Sequence, residues 1–345
     1  MSVVTIKRAG LLSTIQDEGR FNLRHLGIPW SGCLVPAWQK LGNALTGNPH
    51  SQSVIETWEG GLEIAVEEEC VRFALCAHES ADATLSDGNL NIKIQPNRSY
   101  QAPAGSSIKI KSTGEYRHAI IAFRGLAVSD HLGSASTYSK ASLGGLNGTA
   151  LQAGDEINVS RSDYTPDLQC NHSLLGLFDD CSLRIVLGPQ EDHFSKEGIE
   201  NLLSGDFTVG TDADRMGVRL SGPAVHHRDA AAKDIVSDAI VPGSIQVPGT
   251  GQPIVLLSDA HTAGGYPKVA TVLSIDQPKL GLRRAGTSFN FVAISIDEAI
   301  DAVRMQDQKI NDAIQSLTPV VNTTLSTTDL LKHNLIDGVI DGRAH

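Results

Sequence analysis

The sequence predicts a mainly β protein built as barrels or sandwiches, and three observations lead to that class. Short segments in which apolar residues alternate with others recur from residue 62 to residue 294. The chain contains 33 glycines, which favour tight turns between strands. Segments with helical spacing are few, so the regular crossover helices of a parallel α/β fold are missing.

The first predicted strands show the period of two most clearly. Residues 62–70 alternate apolar and other side chains, and residues 71–75 continue the pattern. The Asp87-Gly88 pair, between residues 83–85 and 90–94, predicts a β-hairpin. The other predicted strands are residues 107–110, 118–123, 156–159, 183–187, 207–209, 218–220, 244–247, 254–257 and 289–294.

Four segments have helical spacing. Residues 35–45 carry an apolar face and are followed by a glycine stop, and Ser195 is a predicted N-cap of a helix that ends at Gly205. Residues 297–317 form the longest helical pattern, and residues 328–340 form a last one. A helical C-terminal tail is therefore expected.

Length and charge limit the organisation and the partners. A chain of 345 residues predicts two domains at about 150 residues each. We place them at residues 1–170 and 171–296, with a tail at residues 297–345. The chain has 28 Lys and Arg against 39 Asp and Glu, a net charge of −11, which argues against nucleic acid or an anionic membrane as the main partner.

The sequence indicates a cytoplasmic protein. No apolar run approaches the roughly 20 residues that span a bilayer, and the N-terminal residues lack the pattern of a signal peptide. Five cysteines, an odd number with no CxxC pair, indicate reduced thiols and no zinc site.

The densest group of reactive side chains lies at residues 258–268. Asp259, His261, Thr262 and Lys268 follow an apolar strand and surround a glycine pair. A carboxylate, an imidazole and an ammonium in one loop supply proton transfer and anion binding. The alternative is a surface turn in which the glycines only satisfy backbone geometry.

A second cluster occupies residues 211–219. Arg215 and Arg219 are suited to hold a carboxylate or a phosphate. Asp212 and Asp214 would orient those arginines or hold Mg²⁺, although two carboxylates are a weak metal signal. A charged surface turn is the alternative.

Two weaker clusters contain Gln16 and Arg20 near the N-terminus, and Gln190 after a strand end. A solvated loop and a helix entry are the respective alternatives. The GxxxxGK[ST], GxSxG and HExxH motifs are absent, and so is a Met-Lys-Met biotin attachment site.

Ten segments, in order across residues 10–295, resemble the KipA-like or allophanate hydrolase subunit 2 family, which includes the C subunit of 5-oxoprolinase and half of the carboxyltransferase region of urea carboxylase. They are residues 10–20, 25–29, 31–32, 43–49, 133–138, 143–145, 188–194, 212–217, 242–248 and 262–268.

The resemblance implies two cyclophilin-like β-barrel domains and an ATP-driven opening of 5-oxo-L-proline to L-glutamate. It implies a KipI or subunit-B-type partner and, for an oxoprolinase, a subunit-A-type chain. ATP is the implied cofactor, with the interface to a partner as one place for it, and no biotin is attached to this chain. A homo-oligomer is also compatible.

The clusters and the resemblance together predict the site residues. Arg215 or Arg20 would stabilise an oxyanion, and Asp259 or His261 would move protons. No metal ligand is predicted. The predicted catalytic residues are Asp259, His261, Lys268 and Arg215, and the predicted substrate-binding residues are Gln16, Arg20, Gln190, Asp212, Asp214, Thr262, Gly264, Gly265 and Tyr266.

Two other functions stay open. The first is carboxyl transfer from carboxybiotin, which would need a separate biotin carrier and carboxylase. The second is a regulatory binding protein, which would tolerate loss of Asp259 and Lys268.

Overall fold

The structure is a computed structural model that describes residues 1–171 and 174–320. The strands of the first half are β1 (Ser2–Ala9), β2 (Leu12–Gln16), β3 (Val54–Trp58), β4 (Leu62–Val66), β5 (Val71–Cys76), β6 (Asp82–Ser86), β7 (Asn91–Lys93), β8 (Arg98–Ala102), β9 (Ser107–Ser112), β10 (His118–Phe123) and β11 (Glu156–Val159). The later strands are β12 (Leu168–Gln169), β13 (Ser182–Leu187), β14 (Asp206–Val209), β15 (Gly217–Ser221), β16 (Asp238–Ala239), β17 (Ser244–Gln246), β18 (Ile254–Leu256), β19 (Ala263–Gly264), β20 (Lys268–Val272), β21 (Ser288–Ala293) and β22 (Thr318–Pro319).

The predicted mainly β class with few helices is confirmed, and the second half closes into a barrel. The order of its strands is β13-β20-β17-β18-β15-β14-β21, and the parallel pair β13 and β21 completes the ring. In the first half, the strands instead form two sheets, in the orders β11-β1-β4-β9-β6-β7 and β2-β3-β10-β5-β8-β12-β22.

Glycines turn the chain from one sheet of the first half to the other. Gly10 separates β1 from β2 and Gly60 separates β3 from β4, and both have positive φ angles, +71° and +100°. A β-carbon at Gly10 would lie 2.4 Å from the carbonyl oxygen of Gly60, so only glycine fits this corner. The glycine content that predicted turns therefore has a defined structural use here.

The seven-stranded sheet is buried on both faces. In β10, Ile121 and Phe123 pack into the core between the two sheets, whereas Ile120 and Ala122 face the core shared with the barrel. This alternation follows from the two-residue period of a strand. Because one hydrophobic cluster includes this face, α1 and the barrel interior, the two halves share a core, and the predicted domain boundaries stay a prediction.

The helices of the described residues are α1 (Pro36–Thr46), α2 (Lys196–Ser204), α3 (Gln277–Leu282) and α4 (Ile296–Gln315). The predictions for α1, α2 and α4 are confirmed. Ser195 caps α2 by accepting a hydrogen bond from the Gly198 amide at 3.0 Å, as the sequence predicted. The short α3 was not predicted, and the helix predicted at residues 328–340 lies outside the described residues.

Two further sequence features appear in the structure. The predicted hairpin is present, although its turn contains Asp87 to Leu90, four residues, because Ser86 pairs with Asn91. None of the five cysteines forms a disulfide. Across residues 1–171 and 174–320, no helix has the length and apolarity needed to cross a bilayer.

Substitution of Trp38 tests whether the two halves share a core. Trp38 lies on α1, is fully buried, and has its ring 6.2 Å from that of Tyr116 and 6.1 Å from that of Phe178. We expect Trp38→Ala to lower the free energy of unfolding by about 3–5 kcal/mol, because the truncation leaves a cavity. Met305→Ala, at a position 63% exposed on α4, is the control and should change it by less than about 0.5 kcal/mol. Urea denaturation measures both, and equal effects would contradict a core shared at Trp38.

Candidate functional site

A buried arginine joins the barrel to the first half. Arg215 Nη1 lies 2.6 Å from Glu56 Oε1, and its Nε lies 2.9 Å from Asp259 Oδ2. Arg215 Nη2 also donates to the Gly32 carbonyl at 2.6 Å and to Asp259 Oδ1 at 3.2 Å. Glu56 comes from β3 and Asp259 from the loop after β18, so the guanidinium connects three separate segments.

The turn between β14 and β15 aims Arg215 inward. Asp214 Oδ1 accepts the backbone amides of Met216 at 2.7 Å and Gly217 at 3.2 Å, which closes the turn. A β-carbon at Gly217 would lie 2.8 Å from the carbonyl oxygen of Val255, so the turn can approach β18 only with glycine there. The exposed carboxylate of Asp214 thus has a structural use, and its predicted contact with substrate stays a prediction.

Arg215 remains charged in this setting. Burial alone would lower its pKa, but the nearby charges of Asp259 and Glu56 and their hydrogen bonds raise it above the ordinary value. With Nε, Nη1 and Nη2 all bonded, the guanidinium mainly holds Glu56 and Asp259 in position.

Asp17 fixes a neighbouring loop against the end of β2. Its Oδ1 accepts the hydroxyls of Ser134 at 2.6 Å and Ser136 at 2.5 Å, and its Oδ2 accepts the Ala135 amide at 2.7 Å. The segment from Ser134 to Ser136 is therefore held beside Arg20, which donates from Nε to the His131 carbonyl at 2.9 Å and from Nη2 to the Ser134 and Ser136 carbonyls.

Buried polar atoms around this loop lack a partner within the described residues. They are Gln16 Oε1, Arg20 Nη1, Ser31 Oγ and Thr137 Oγ1. Gln16 Nε2 donates to the Thr137 carbonyl at 3.2 Å, and the Arg20 amide donates to the Trp30 carbonyl at 2.7 Å beside Ser31, so one region of the molecule contains all four. We call Gln16, Arg20, Ser31, Thr137 and Asp259 the polar seam. Because a buried donor or acceptor without a partner is costly, such a group of atoms is typical of a binding site.

Asp259 lies next to Ser258, whose carbonyl accepts the Ser31 amide at 3.0 Å, and its charge acts on neighbouring groups. Burial lowers the pKa of Arg20, although the charges of Asp17 and Asp259 act against that shift. Burial and the Asp259 charge both raise the pKa of Tyr138.

Two buried residues of this region, Glu56 and Ser31, were not among the predicted site residues. Glu56 is the only acidic residue in the otherwise apolar or neutral strand β3, and a single charge in a buried strand is the signal that predicts a buried ion pair. Ser31 lies in one of the segments that carry the family resemblance, but its burial and its unpartnered hydroxyl could not be predicted from the sequence.

Lys268 lies in a second cluster on the barrel. Its side chain is 3% exposed, and Nζ lies 2.7 Å from Asp238 Oδ2. The same oxygen accepts Gln190 Nε2 at 3.0 Å, and Gln190 Oε1 accepts the Lys268 amide at 3.0 Å. The structure thus brings together Gln190 and Lys268, as predicted for a site, with Asp238 as an additional member.

The remaining predicted residues lie nearer the surface. Asp212, His261 and Tyr266 are exposed. The carbonyls of Thr262 and Gly265 accept backbone amides, from Ile240 at 3.0 Å and Ile235 at 2.9 Å. Gly264 lies in β19, opposite Asp238 in β16. Their roles in substrate binding stay predictions.

An apolar cavity of about 800 Å³ lies beside the polar seam. It is bounded by the loop before α1, the barrel and α4, and Ser31 and Ser258 form part of its wall. Among the described residues that line this cavity, none is a predicted site residue. Within residues 1–171 and 174–320, no three His, Cys, Asp or Glu side chains are grouped as a metal site would require.

Comparison with known proteins gives consistent findings. A family model described as the carboxyltransferase domain, subdomain A and B, matches residues 26–293. The chain is 31% identical to the C subunit of 5-oxoprolinase from Haemophilus influenzae over 292 residues, covering 83% of this chain and 90% of that protein. It is 30% identical to the C subunit of 5-oxoprolinase from Escherichia coli over 308 residues, covering 89% and 96%.

The fold is also found in a solved structure. The crystal structure of the K. lactis urea amidolyase matches with a TM-score of 0.81 at 22% identity, covering 95% of this chain and 20% of that chain. The match supports the architecture of the described residues.

The ion pairs of Arg215 predict a large loss of stability on substitution. We expect Arg215→Met to lower the free energy of unfolding by about 3–5 kcal/mol, because Glu56 keeps a buried charge without a partner. Arg228→Met is the matched control, since Arg228 pairs with Asp229 at 3.1 Å on the surface and should change it by less than about 1 kcal/mol. Chemical denaturation measures the free energy of unfolding of both variants. Equal losses would show that the buried ion pairs contribute no more to stability than the surface pair does.

The burial of His118 predicts that the protein loses stability in weak acid. His118 is fully buried, with its ring 4.3 Å from that of Trp58. Burial, with the Arg117 and Arg215 charges, holds its pKa well below the ordinary value. Below about pH 6.5 the unfolded chain binds a proton here that the folded chain does not, so the free energy of unfolding falls as pH falls, by up to about 1.4 kcal/mol per pH unit.

The variant His118→Phe should reduce that slope between about pH 6.5 and pH 5. The half-buried His227, whose pKa burial also lowers, would supply a remaining slope. His50→Phe, at an exposed position, is the control and should leave the slope unchanged. Urea denaturation at several pH values measures the slope of the free energy of unfolding against pH. An unchanged slope in His118→Phe would show that His118 is not its source.

Proposed function

The chain belongs to the carboxyltransferase domain family, subdomain A and B, and on that premise we propose that it is a subunit of an ATP-dependent 5-oxoprolinase complex. In this proposal it works with a KipI or subunit-B-type partner to open 5-oxo-L-proline to L-glutamate. The support is that the chain covers 90% and 96% of two proteins named as the C subunit of 5-oxoprolinase.

The observation that carries the proposal is the buried donor and acceptor of the polar seam. A cyclic amide has its N–H and C=O on one edge, because the ring forces the cis arrangement. Gln16 Oε1 is an acceptor and Arg20 Nη1 is a donor, both buried and without a protein partner within the described residues. A lactam whose edge reached both atoms would satisfy them, which removes the cost of leaving them unpaired.

Arg20 also suits the chemistry of amide opening. When water or a phosphoryl oxygen adds to the lactam carbonyl, negative charge develops on the carbonyl oxygen, and a fixed guanidinium stabilises that charge. Asp259, whose carboxylate Arg215 holds in place, is the group we assign to proton transfer. The net reaction would consume 5-oxo-L-proline, ATP and two molecules of water and give L-glutamate, ADP and phosphate.

Carboxyl transfer is the second candidate function, and the description of the family model favours it. In that case an enzyme complex would supply carboxybiotin on a separate carrier. The same polar seam would then bind an amide or urea group as the acceptor.

The test is reconstitution of the complex with its partner subunits, followed by ATP hydrolysis with and without 5-oxo-L-proline. We expect 5-oxo-L-proline to stimulate hydrolysis, and Arg20→Gln to lower kcat/KM by about 100-fold or more, as loss of an oxyanion donor does. Arg8→Gln, at an exposed position on β1, should leave kcat/KM within about twofold of the parent.

Thermal denaturation separates a catalytic effect from unfolding, since Arg20 also binds three backbone carbonyls. A folded, assembled complex that shows no stimulation by 5-oxo-L-proline would overturn the oxoprolinase proposal. Carboxylation of urea from a supplied carboxybiotin donor would instead support the second candidate.

A further inference from the structure

The lysine of the Lys268 cluster is buried, but its ammonium group does not use all of its hydrogen-bond donors within the described residues. The Lys268 ammonium has three N–H donors, and within the described residues Asp238 Oδ2 is the hydrogen-bond acceptor it reaches, at 2.7 Å. Its side chain is 3% exposed, whereas that of Asp238 is 50% exposed. A buried cation whose counter-ion lies in solvent is unusual, since buried charges are normally paired with buried groups.

The position that Asp238 Oδ2 occupies suits an oxyanion, because two donors point to it. It accepts Lys268 Nζ at 2.7 Å and Gln190 Nε2 at 3.0 Å. Gln190 is fixed by two bonds to the backbone of Lys268, one through its own amide at 3.1 Å and one through Oε1 at 3.0 Å. A cationic donor and an amide donor therefore converge on a single oxygen.

A third donor lies beside them and is unused. Gln246 faces Lys268 directly across the β17 and β20 pair, so both side chains lie on the same side of the sheet. Gln246 is 7% exposed, and its Nε2 has no hydrogen-bond partner within the described residues. A β-carbon at Gly264 would lie 2.7 Å from this Nε2, so glycine there keeps room at the amide.

Asp238 reaches the cluster from an exposed segment, residues 228–241, which we call the strap. Within it, Val236 is 93% exposed. The strap is attached through the two-residue strand β16 against β19 and through the amides of Ile235 and Ile240, which donate to the Gly265 and Thr262 carbonyls. The hydrogen bond from Lys268 lowers the pKa of Asp238, so its carboxylate stays ionised at neutral pH. The carboxylate can leave by rotating into water without any change in the barrel.

We propose that Lys268, Gln190 and Gln246 form a binding site for an oxyanion of a small molecule, a carboxylate or a phosphoryl group, and that Asp238 occupies it as an internal competitor. The inference deepens the proposed function, on which it rests for the source of the anion, because both an acidic substrate and ATP carry such a group. The site itself is defined on this chain alone.

The experiment removes the competitor. The full chain, without partner subunits or ATP, is titrated with inorganic phosphate and separately with L-glutamate, and side-chain amide signals are followed by NMR. We expect Asp238→Asn to bind at least one of these probes about tenfold or more tightly than the parent, with a shift of the Gln246 amide signal. The probe that gains affinity identifies a phosphoryl or a carboxylate ligand.

Asp229→Asn is the matched control, since it removes the same charge from the same strap but pairs with the exposed Arg228. It should leave both affinities at the parent value. In the double variant Asp238→Asn with Gln246→Leu, the gain should be lost. If Asp238→Asn does not fold, Asp238→Ser serves in its place.

Equal affinities in the Asp238 and Asp229 variants would overturn the proposal, and so would a gain that persists without Gln246. Neither result concerns oxoprolinase activity, which is measured in the assembled complex. A failure here and a failure of the proposed function are therefore distinguishable.

Discussion

The salt bridges of Arg215 set the relation between the two halves of the molecule. Glu56 is fully buried in a central strand of the first half, and its charge is tolerable only because Arg215 enters from the barrel to within 2.6 Å. Arg215 in turn needs Asp259 at 2.9 Å, since burial of an excess charge is costly. These directional hydrogen bonds therefore fix the position of the barrel relative to the sheet more precisely than apolar packing alone would.

The polar seam depends on that constraint. The segment before α1 is fixed on two sides, because the Leu34 amide donates to Glu56 at 2.8 Å and the Ser31 amide donates to the Ser258 carbonyl at 3.0 Å. Ser31 has a φ angle of +54°, a conformation that serine rarely adopts, and these bonds on both sides hold it there. The unpartnered hydroxyl of Ser31 is thus placed by the backbone and not by its own contacts.

The sequence predicted local structure well and long-range structure poorly. Alternation gave the bounds of β10 and β11 as the structure has them, and the Ser195 cap placed α2, because both signals are local. The parallel pairing of β13 with β21 joins residues more than 100 positions apart, and no local pattern encodes it. For the same reason, the sequence did not predict that Arg215 pairs with Glu56 and Asp259, because these partners are distant from it in sequence. The predicted catalytic role of Arg215 stays a prediction.

The two clusters are connected through one arginine of the first half. Arg24 donates to the Ile240 carbonyl at 2.7 Å and to the His261 carbonyl at 2.6 Å, so it bonds both to the strap and to the loop after β18 that contains Asp259. Ile240 lies two residues from Asp238, and its amide donates to the Thr262 carbonyl at 3.0 Å. These hydrogen bonds tie the backbone beside Asp238 to the loop that carries Asp259, a member of the polar seam. The Asp238 side chain can therefore leave its place to an anion by rotation, while the bonds to Arg24 and Thr262 hold the strap backbone in position.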